Sequence, residues 1–269
     1  SGVPVQLGAG QPELVTLDGP RVNVTTFDVV FPLLHGPHGE DGCVQGLLEL
    51  VDAAYVGAGV AASAVGMDKE LSRAVFGHAG LRQTEYLVVR RNAWNADRAG
   101  IRSHIESTLR YPLFVKPVNL GSSIGISKVH DSESLETAMD LAAGYDIKMM
   151  IETSVERARE LECAVLGNEN PNASVIGEII PGAEFYDYTT KYIDDRSELV
   201  VPAILEKSES EAIQKLATRA FRAIDCSGLA RVDCFMRQDG SVLINEINTM
   251  PGFTPISMYP KLWAAAGID

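Results

Sequence analysis

Short apolar runs alternate along the chain with stretches whose apolar residues recur every three to four positions, which predicts an α/β protein. Phe27 to Leu34 is near-continuously apolar, as buried parallel strands are, and Tyr55 to Gly59 reads as a short strand running into a turn. Helices over Val44 to Val51 and Ser63 to Phe76 follow these strands, the order of half a doubly wound layer. The residues before Phe27 read as loop, with no clear first element. From Thr84 the texture changes to short strands: Tyr86 to Val89, Leu113 to Pro117, Ile126 to His130, Lys148 to Glu152, Leu161 to Leu166 and Ser174 to Ile180. Asp131 or Ser132 can cap a helix with Glu133 and Glu136 in its first turn. Glu209 to Ile224 is amphipathic, with Ile213, Leu216, Ala217, Ala220 and Phe221 on one stripe.

Near the C-terminus, Leu229 to Met236 and Val242 to Asn248 read as two strands flanking Asp239-Gly240, a preferred hairpin dipeptide. A two-residue turn there sets Asp233 across from Glu246 and Arg231 across from Asn248, all on one face. Facing carboxylates repel, and a hard divalent cation removes that penalty; Asp, Glu and Asn oxygens are the ligands Mg²⁺ takes beside substrate phosphate. A solvated strand face on which Arg231 merely offsets the two acids is the alternative. A second candidate is the loop Gly121-Ser122-Ser123-Ile124-Gly125 after Phe114-Val115-Lys116-Pro117. Its small residues let backbone N–H groups approach phosphate oxygens, with Lys116 near as a cation. It has neither the Walker nor the dinucleotide spacing, so a plain hairpin tip stays open as a reading.

Composition narrows the partners. Hydrophobic residues make up 46% and charged residues 22% of the 269, which excludes a disordered, collagen-like or disulfide-scaffold chain. Lys and Arg number 23 against 36 Asp and Glu, a net charge of −13. Such a surface repels phosphate backbones and anionic lipid, so neither nucleic acid nor membrane is expected as a partner. A phosphate-handling site here must gather its cations locally and add a metal. Cys43, Cys163, Cys226 and Cys234 show no C-x-x-C spacing and read as free thiols in a reducing cytoplasm. No apolar run approaches the length of about 20 residues that spans a bilayer, and the N-terminus lacks the features of a signal peptide. A soluble, cytoplasmic protein is expected.

Taken in order, several segments resemble one family. They are His35-Gly36-x-x-Gly39-Glu40-Asp41-Gly42, Met67-Asp68-Lys69, Phe114-Val115-Lys116-Pro117, Gly121-Ser122-Ser123-x-Gly125-x-Ser127, Phe185-Tyr186-Asp187-Tyr188-x-x-Lys191-Tyr192, Arg231-x-Asp233 and Asn245-Glu246-Ile247-Asn248-Thr249-x-Pro251-Gly252. The series is similar to the D-alanine–D-alanine ligases, bacterial cell-wall enzymes of the ATP-grasp superfamily. The resemblance implies an α/β ATP-grasp fold with a truncated doubly wound N-terminal domain over residues 1–57. A central small domain over 58–151 and a C-terminal domain with metal and acceptor site over 152–269 complete it. It implies ATP-dependent joining of two D-alanine molecules through an acyl phosphate, for peptidoglycan synthesis, by a homodimer using two Mg²⁺ ions or Mn²⁺ in their place.

By the same resemblance, Lys69 and Lys116 hold the α- and β-phosphates under the glycine loop with Ser122 and Ser123, while Glu152, Val155 and Glu160 bind adenosine. Asp233, Glu246 and Asn248 hold the metals. Arg231 and the Gly252 N–H stabilise the oxyanion, the term usually largest in acyl transfer. Lys191 contacts the γ-phosphate and, with Ser257 and Met258, the second substrate; His35 lies near the first D-alanine, and His38 is a surface residue. Ser122 and Tyr192 pair to close the loop. The intact Tyr188-Thr189-Thr190-Lys191-Tyr192 favours the dipeptide over a D-Ala–D-lactate ester. The family's opening strand, Gly-Gly turn and D-alanine-gripping glutamate are not found before Phe27, nor its last helix after Asp269, so the sequence reads as incomplete at both ends. The rival expectations are a D-Ala–D-lactate ligase and an ATP- and magnesium-binding remnant without ligase activity.

Overall fold

The computed structural model describes residues 5–7, 13–18, 21–121, 123–180 and 198–268. Its first element corrects the loop expected before Phe27. Strands β1 (Val5–Leu7), β2 (Glu13–Asp18) and β3 (Arg21–Thr26) form an antiparallel sheet, with Asp18 paired to Arg21 and Glu13 to Thr26. The signal was there: Arg21-Val22-Asn23-Val24 alternates polar and apolar, and Asp18-Gly19 precedes it.

The strand expected over Phe27 to Leu34 is corrected too. Only Val30 pairs, in a parallel bridge with Tyr55 made by Val30 N–H to Ala54 O and Val56 N–H to Val30 O. Two bonds make no ladder, and Val29, Phe31, Leu33 and Leu34 are exposed. Helix α1 (Cys43–Leu50) matches its expectation within a residue. The single helix expected over Ser63 to Phe76 is instead two, α2 (Val60–Met67) and α3 (Lys69–His78). Asp68 separates them: its backbone is extended, and its Oδ1 accepts the Glu70 and Leu71 N–H groups as the cap of α3. Lys69 thereby becomes the first residue of a helix.

The central layer is an antiparallel sheet of β4 (Tyr86–Arg90), β7 (Lys148–Thr153), β5 (Leu113–Pro117) and β6 (Ser127–Val129), in that spatial order. Helices α4 (Arg91–Ala96) and α5 (Arg98–Thr108), which the pattern did not predict, and α6 (Ser132–Tyr145) cover it around Trp94, Ile105, Leu135 and Met139. Asp131 caps α6 by accepting the Ser134 N–H.

The C-terminal sheet runs β10 (Glu198–Val200), β9 (Asn172–Ile180), β8 (Arg159–Leu166), β11 (Leu229–Met236), β12 (Val242–Asn248), all antiparallel. On one face lies α7 (Lys207–Ala223), whose five expected core residues are all buried, against Leu161, Cys163 and Val232. Ala62 of α2 and Phe76 of α3 join that core. On the other face α8 (Met258–Ala265) buries Met258, Leu262 and Trp263 against Ala164, Ile179 and Leu229. Helix α8 covers only part of its face, which leaves Glu162 of β8, Arg231 of β11 and Glu246 of β12 to line a cavity beside it.

Candidate active site

The pairing of the two acids arises by a route the sequence did not show. The β11–β12 turn is a three-residue loop, not a two-residue one: Arg237 N–H bonds Ser241 O, Gly240 N–H bonds Arg237 O, and Gly240 has φ +77°. That shifts the ladder by one, so Met236 faces Val242 and Cys234 faces Ile244. A bulge at Asn245 then shifts it back, and Asp233 faces Glu246 while Arg231 faces Asn248. Two opposite slips cancel where the side chains matter.

The register on the other side of β11 adds a third acid. Asp233 also faces Glu162 of β8, so Glu162, Asp233 and Glu246 form one row across three strands. Arg231 grips Asp233 with a fork, Nε to Oδ1 at 2.7 Å and an outer NH₂ to Oδ2 at 2.6 Å, and its Nε stands 3.1 Å from Glu162 Oε2. Burial works against the guanidinium charge, but Asp233 and Glu162 more than offset it and hold Arg231 well above its ordinary value. Lys69 sits 3.6 Å from Glu246, donates to Leu120 O at 2.8 Å, and bonds Val118 O through its own N–H, tying α3 to the root of the glycine loop. Asp233, Glu246 and Asn248 share one strand face, and their carboxylate and amide oxygens are the donors that a hard divalent cation takes.

Lys116 and Glu152 belong to a buried cluster of the central layer that borders the acidic row: Lys116 feels the charges of Lys69 and Glu246, and Arg73 donates to Asn245 Oδ1 at 3.5 Å. Glu152 accepts from Lys116 through one oxygen, and from Arg73 (2.6 Å) and the Thr84 hydroxyl (3.3 Å) through the other. Burial alone would raise the Glu152 carboxyl, yet Lys116 and Arg73 hold it below its usual value. The Lys116 ammonium moves down as well, because its own burial outweighs the Glu152 charge. Sequence reasoning missed Arg73, whose helical spacing gives no hint that it points inward.

A cavity of ≈ 610 Å³ gathers His35, Lys69, Gly121, Arg231, Glu246, Asn248, Gly252, Ser257 and Met258. A smaller one of ≈ 60 Å³ beside it is lined by Glu160 and Asp233, and both are walled by Glu162 and Glu246. Glu152, Lys116 and Val155 line neither. His35 stands 3.0 Å from Met250 O through Nδ1, which sets the ring's direction. Glu40, which sequence reasoning passed over inside its own motif, also lines the large cavity and accepts the Gly36 N–H at 2.7 Å. Burial pushes the Glu40 carboxyl up, against the opposing pull of Gly36 and His35. His38 is exposed, as expected, its N–H bonded to Asp41.

Gly252 packs so close to Ser257 that a Cβ would stand 2.6 Å from its Oγ, and that Oγ accepts the Thr254 N–H. In the glycine loop Ser123 has φ +57° and Gly125 φ +72°, a conformation that small residues permit. Ser122, Lys191 and Tyr192, with the whole Phe185 to Tyr192 segment, lie outside the described residues. Among those described, no helix is long and apolar enough to cross a membrane.

Known proteins resemble this chain over most of its length. A family model described as D-ala D-ala ligase C-terminus matches residues 75–269, and one described as D-ala D-ala ligase N-terminus matches residues 10–58. The D-alanine–D-alanine ligase of Acetivibrio thermocellus is 55% identical over 244 residues, which cover 90% of this chain and 65% of that protein. That of Thermoanaerobacter pseudethanolicus is 50% identical, covering 99% of this chain and 74% of the relative. Among solved structures, the D-alanine-D-alanine ligase from Coxiella burnetii superposes with a TM-score of 0.83 at 38% identity, over 98% of this chain and 70% of that one. The VanG D-Ala:D-Ser ligase from Enterococcus faecalis gives 0.87 at 34% identity, over 98% and 75%. The chain spans 65% to 74% of the length of these two curated relatives.

Proposed function

Because the chain belongs to the D-alanine–D-alanine ligase family, we propose that it carries the ATP-dependent ligation of two D-alanines. The carboxylate of one D-alanine attacks the γ-phosphorus of ATP, ADP leaves, and an acyl phosphate forms. The amine of the second then attacks the acyl carbon and inorganic phosphate leaves, giving D-alanyl-D-alanine and a proton. The observation that carries this reading is the convergence of Lys69, Arg231, Glu246, Asn248 and Gly252 on one cavity. Phosphate-binding cations, metal-type oxygens and oxyanion donors share a single space there.

Asp233, Glu246 and Asn248 are the residues that would hold divalent metal, which when bound neutralises phosphate charge during in-line transfer. Lys69 holds phosphate from the start of α3, where the helix dipole adds to its charge. Lys116 reaches phosphate by sharing itself with Glu152; Ser122, Ser123, Val155 and Glu160 line the nucleotide's path. Arg231 and the Gly252 N–H stabilise the oxyanion when the acyl carbon becomes tetrahedral. His35 orients the first D-alanine, while Lys191, Ser257 and Met258 take the second. Ser122 and Tyr192 close the loop and exclude water, which would hydrolyse the acyl phosphate. The division at residues 57 and 151, magnesium as the ion, a homodimer and a cytoplasmic location belong to the same proposal, on the family resemblance alone.

The test is phosphate release from ATP and Mg²⁺ with D-alanine, D-serine or D-lactate offered as acceptor, followed by product analysis. D-alanine-dependent release with dipeptide as the product is expected. Ester formation with D-lactate would make it the other ligase, and nucleotide binding without turnover would reduce it to a remnant.

A further inference from the structure

Within the acidic row, Glu162 has no place in the proposed reaction, yet its position is unusual. It is a carboxylate only 6% exposed, at the wall shared by both cavities, directly across the ladder from Asp233. Its neighbour is Arg231, whose fork spans both oxygens of Asp233. A divalent ion approaches a carboxylate most closely in that same sector, and a guanidinium there also repels it. If Asp233 is to bind metal, Arg231 has to loosen its grip. A buried guanidinium released without a counter-charge would cost several kcal/mol.

Resting on the reading of Asp233 as a metal ligand, we infer that Glu162 is a positioning residue that receives Arg231 when metal takes Asp233. The geometry makes the exchange small. Arg231 Nε is 2.7 Å from Asp233 Oδ1 and 3.1 Å from Glu162 Oε2, so a slight rotation passes the guanidinium from one acid to the other. Glu162 thus serves two ends. It keeps Arg231 charge-balanced, and it holds Arg231 over the cavity where an oxyanion develops, instead of leaving it bound to the metal's own ligand. No bond is made or broken and no proton moves.

The test uses the full chain and titrates Mn²⁺ by calorimetry at saturating ADP, identical for every variant so that chelation by ADP cancels. Glu162→Gln should weaken Mn²⁺ binding about tenfold, and Arg231→Met should tighten it a few-fold, since the competing cation is gone. In the Arg231→Met background, Glu162→Gln should change affinity by less than about twofold. An equal loss in both backgrounds would make Glu162 a distant anion and overturn the exchange. So would unchanged affinity in Glu162→Gln alone. If the unsubstituted chain binds no Mn²⁺ beyond that held by ADP, the metal reading itself fails, which is a separate result. Should Glu162→Gln not fold, nitrogen NMR of the unsubstituted chain decides. Mg²⁺ and ADP should shift the Arg231 Nε–H signal, assigned by its loss in Arg231→Lys, while leaving it protected from solvent. A signal that becomes solvent-exchanging overturns the proposal.

Discussion

The molecule holds two clusters of buried charge, and their excess runs in opposite directions. In the central layer, Arg73 and Lys116 share the one carboxylate of Glu152, closed in by Thr84 and by the Tyr86 ring 5.7 Å from Arg73. In the C-terminal sheet, Glu162, Asp233 and Glu246 form a row in which Arg231 pairs with the first two and Lys69 stands 3.6 Å from the third. The first cluster has a cation to spare and suits a bound anion. The second has an anion to spare and suits a bound cation. Counting ion pairs would rank them alike, and buried pairs are in any case weak evidence for stability. The sign of what is left over distinguishes a phosphate grip from a metal seat.

The largest effects should separate the clusters cleanly. Glu152→Gln leaves two buried cations facing each other and should cost about 3–5 kcal/mol in urea unfolding. Glu246→Ala removes one of three acids in a row but also the partner of Lys69, a partly exposed pair, so unfolding stability should change by less than about 1 kcal/mol. Its divalent-dependent phosphate release should nevertheless fall by about three orders of magnitude. If the two substitutions cost equal stability, the acidic row is structural and the distinction collapses. Next in size, Arg231→Ala should lower kcat about 100- to 1000-fold, as loss of an oxyanion donor does. A loss confined to KM would return Arg231 to the role of a plain counter-ion.

The two clusters also differ in how far the sequence revealed them. The acidic pair was legible because a hairpin dipeptide and strand period two suffice to place Asp233 against Glu246. The placement held only because the three-residue turn and the Asn245 bulge cancel, and neither leaves a mark in composition. Glu162 was invisible for another reason: its place opposite Asp233 depends on β8 lying beside β11, a pairing between positions some 63 to 77 apart. No local pattern carries that. Arg73 was hidden likewise, being a long cation on a helix whose default is the surface. The Asp68 break and the β2–β3 hairpin, by contrast, carried signals that went unread. An Asp before a helix start and an Asp-Gly beside an alternating run are both local.

A milder change sharpens the difference at the loop between the clusters. Gly125 has φ +72°, and a Cβ there would stand 2.7 Å from Tyr145 Cδ2 and 2.9 Å from Pro117 Cγ. Gly125→Ala should cost about 1–3 kcal/mol and raise the KM for ATP, through the loop that roots beside Lys116. Mn²⁺ affinity at the acidic row should not move. A matching loss of metal affinity would mean that the loop and the row act as one unit.

The smallest expected effect is in pH, where one carboxyl beside each cluster titrates with opposite sign. Glu152 is held below its ordinary value, so its contribution is complete above a pH of about 4.3 and is lost as pH falls through the folded value. Glu40, in the large cavity near Lys69 and Glu246, is pushed above its ordinary value by burial. Its contribution is complete below a pH of about 4.3 and is lost as pH rises through the folded value. Unfolding free energies measured across that range with EDTA present should therefore respond oppositely to the two substitutions. Glu40→Gln should flatten the decline above pH of about 4.3. Glu152→Gln should flatten the decline below it, on top of its larger uniform cost. If both variants flattened the same limb, the two carboxyls would share one environment, and the separation of a cation-rich from an anion-rich region would be wrong at the level of charge.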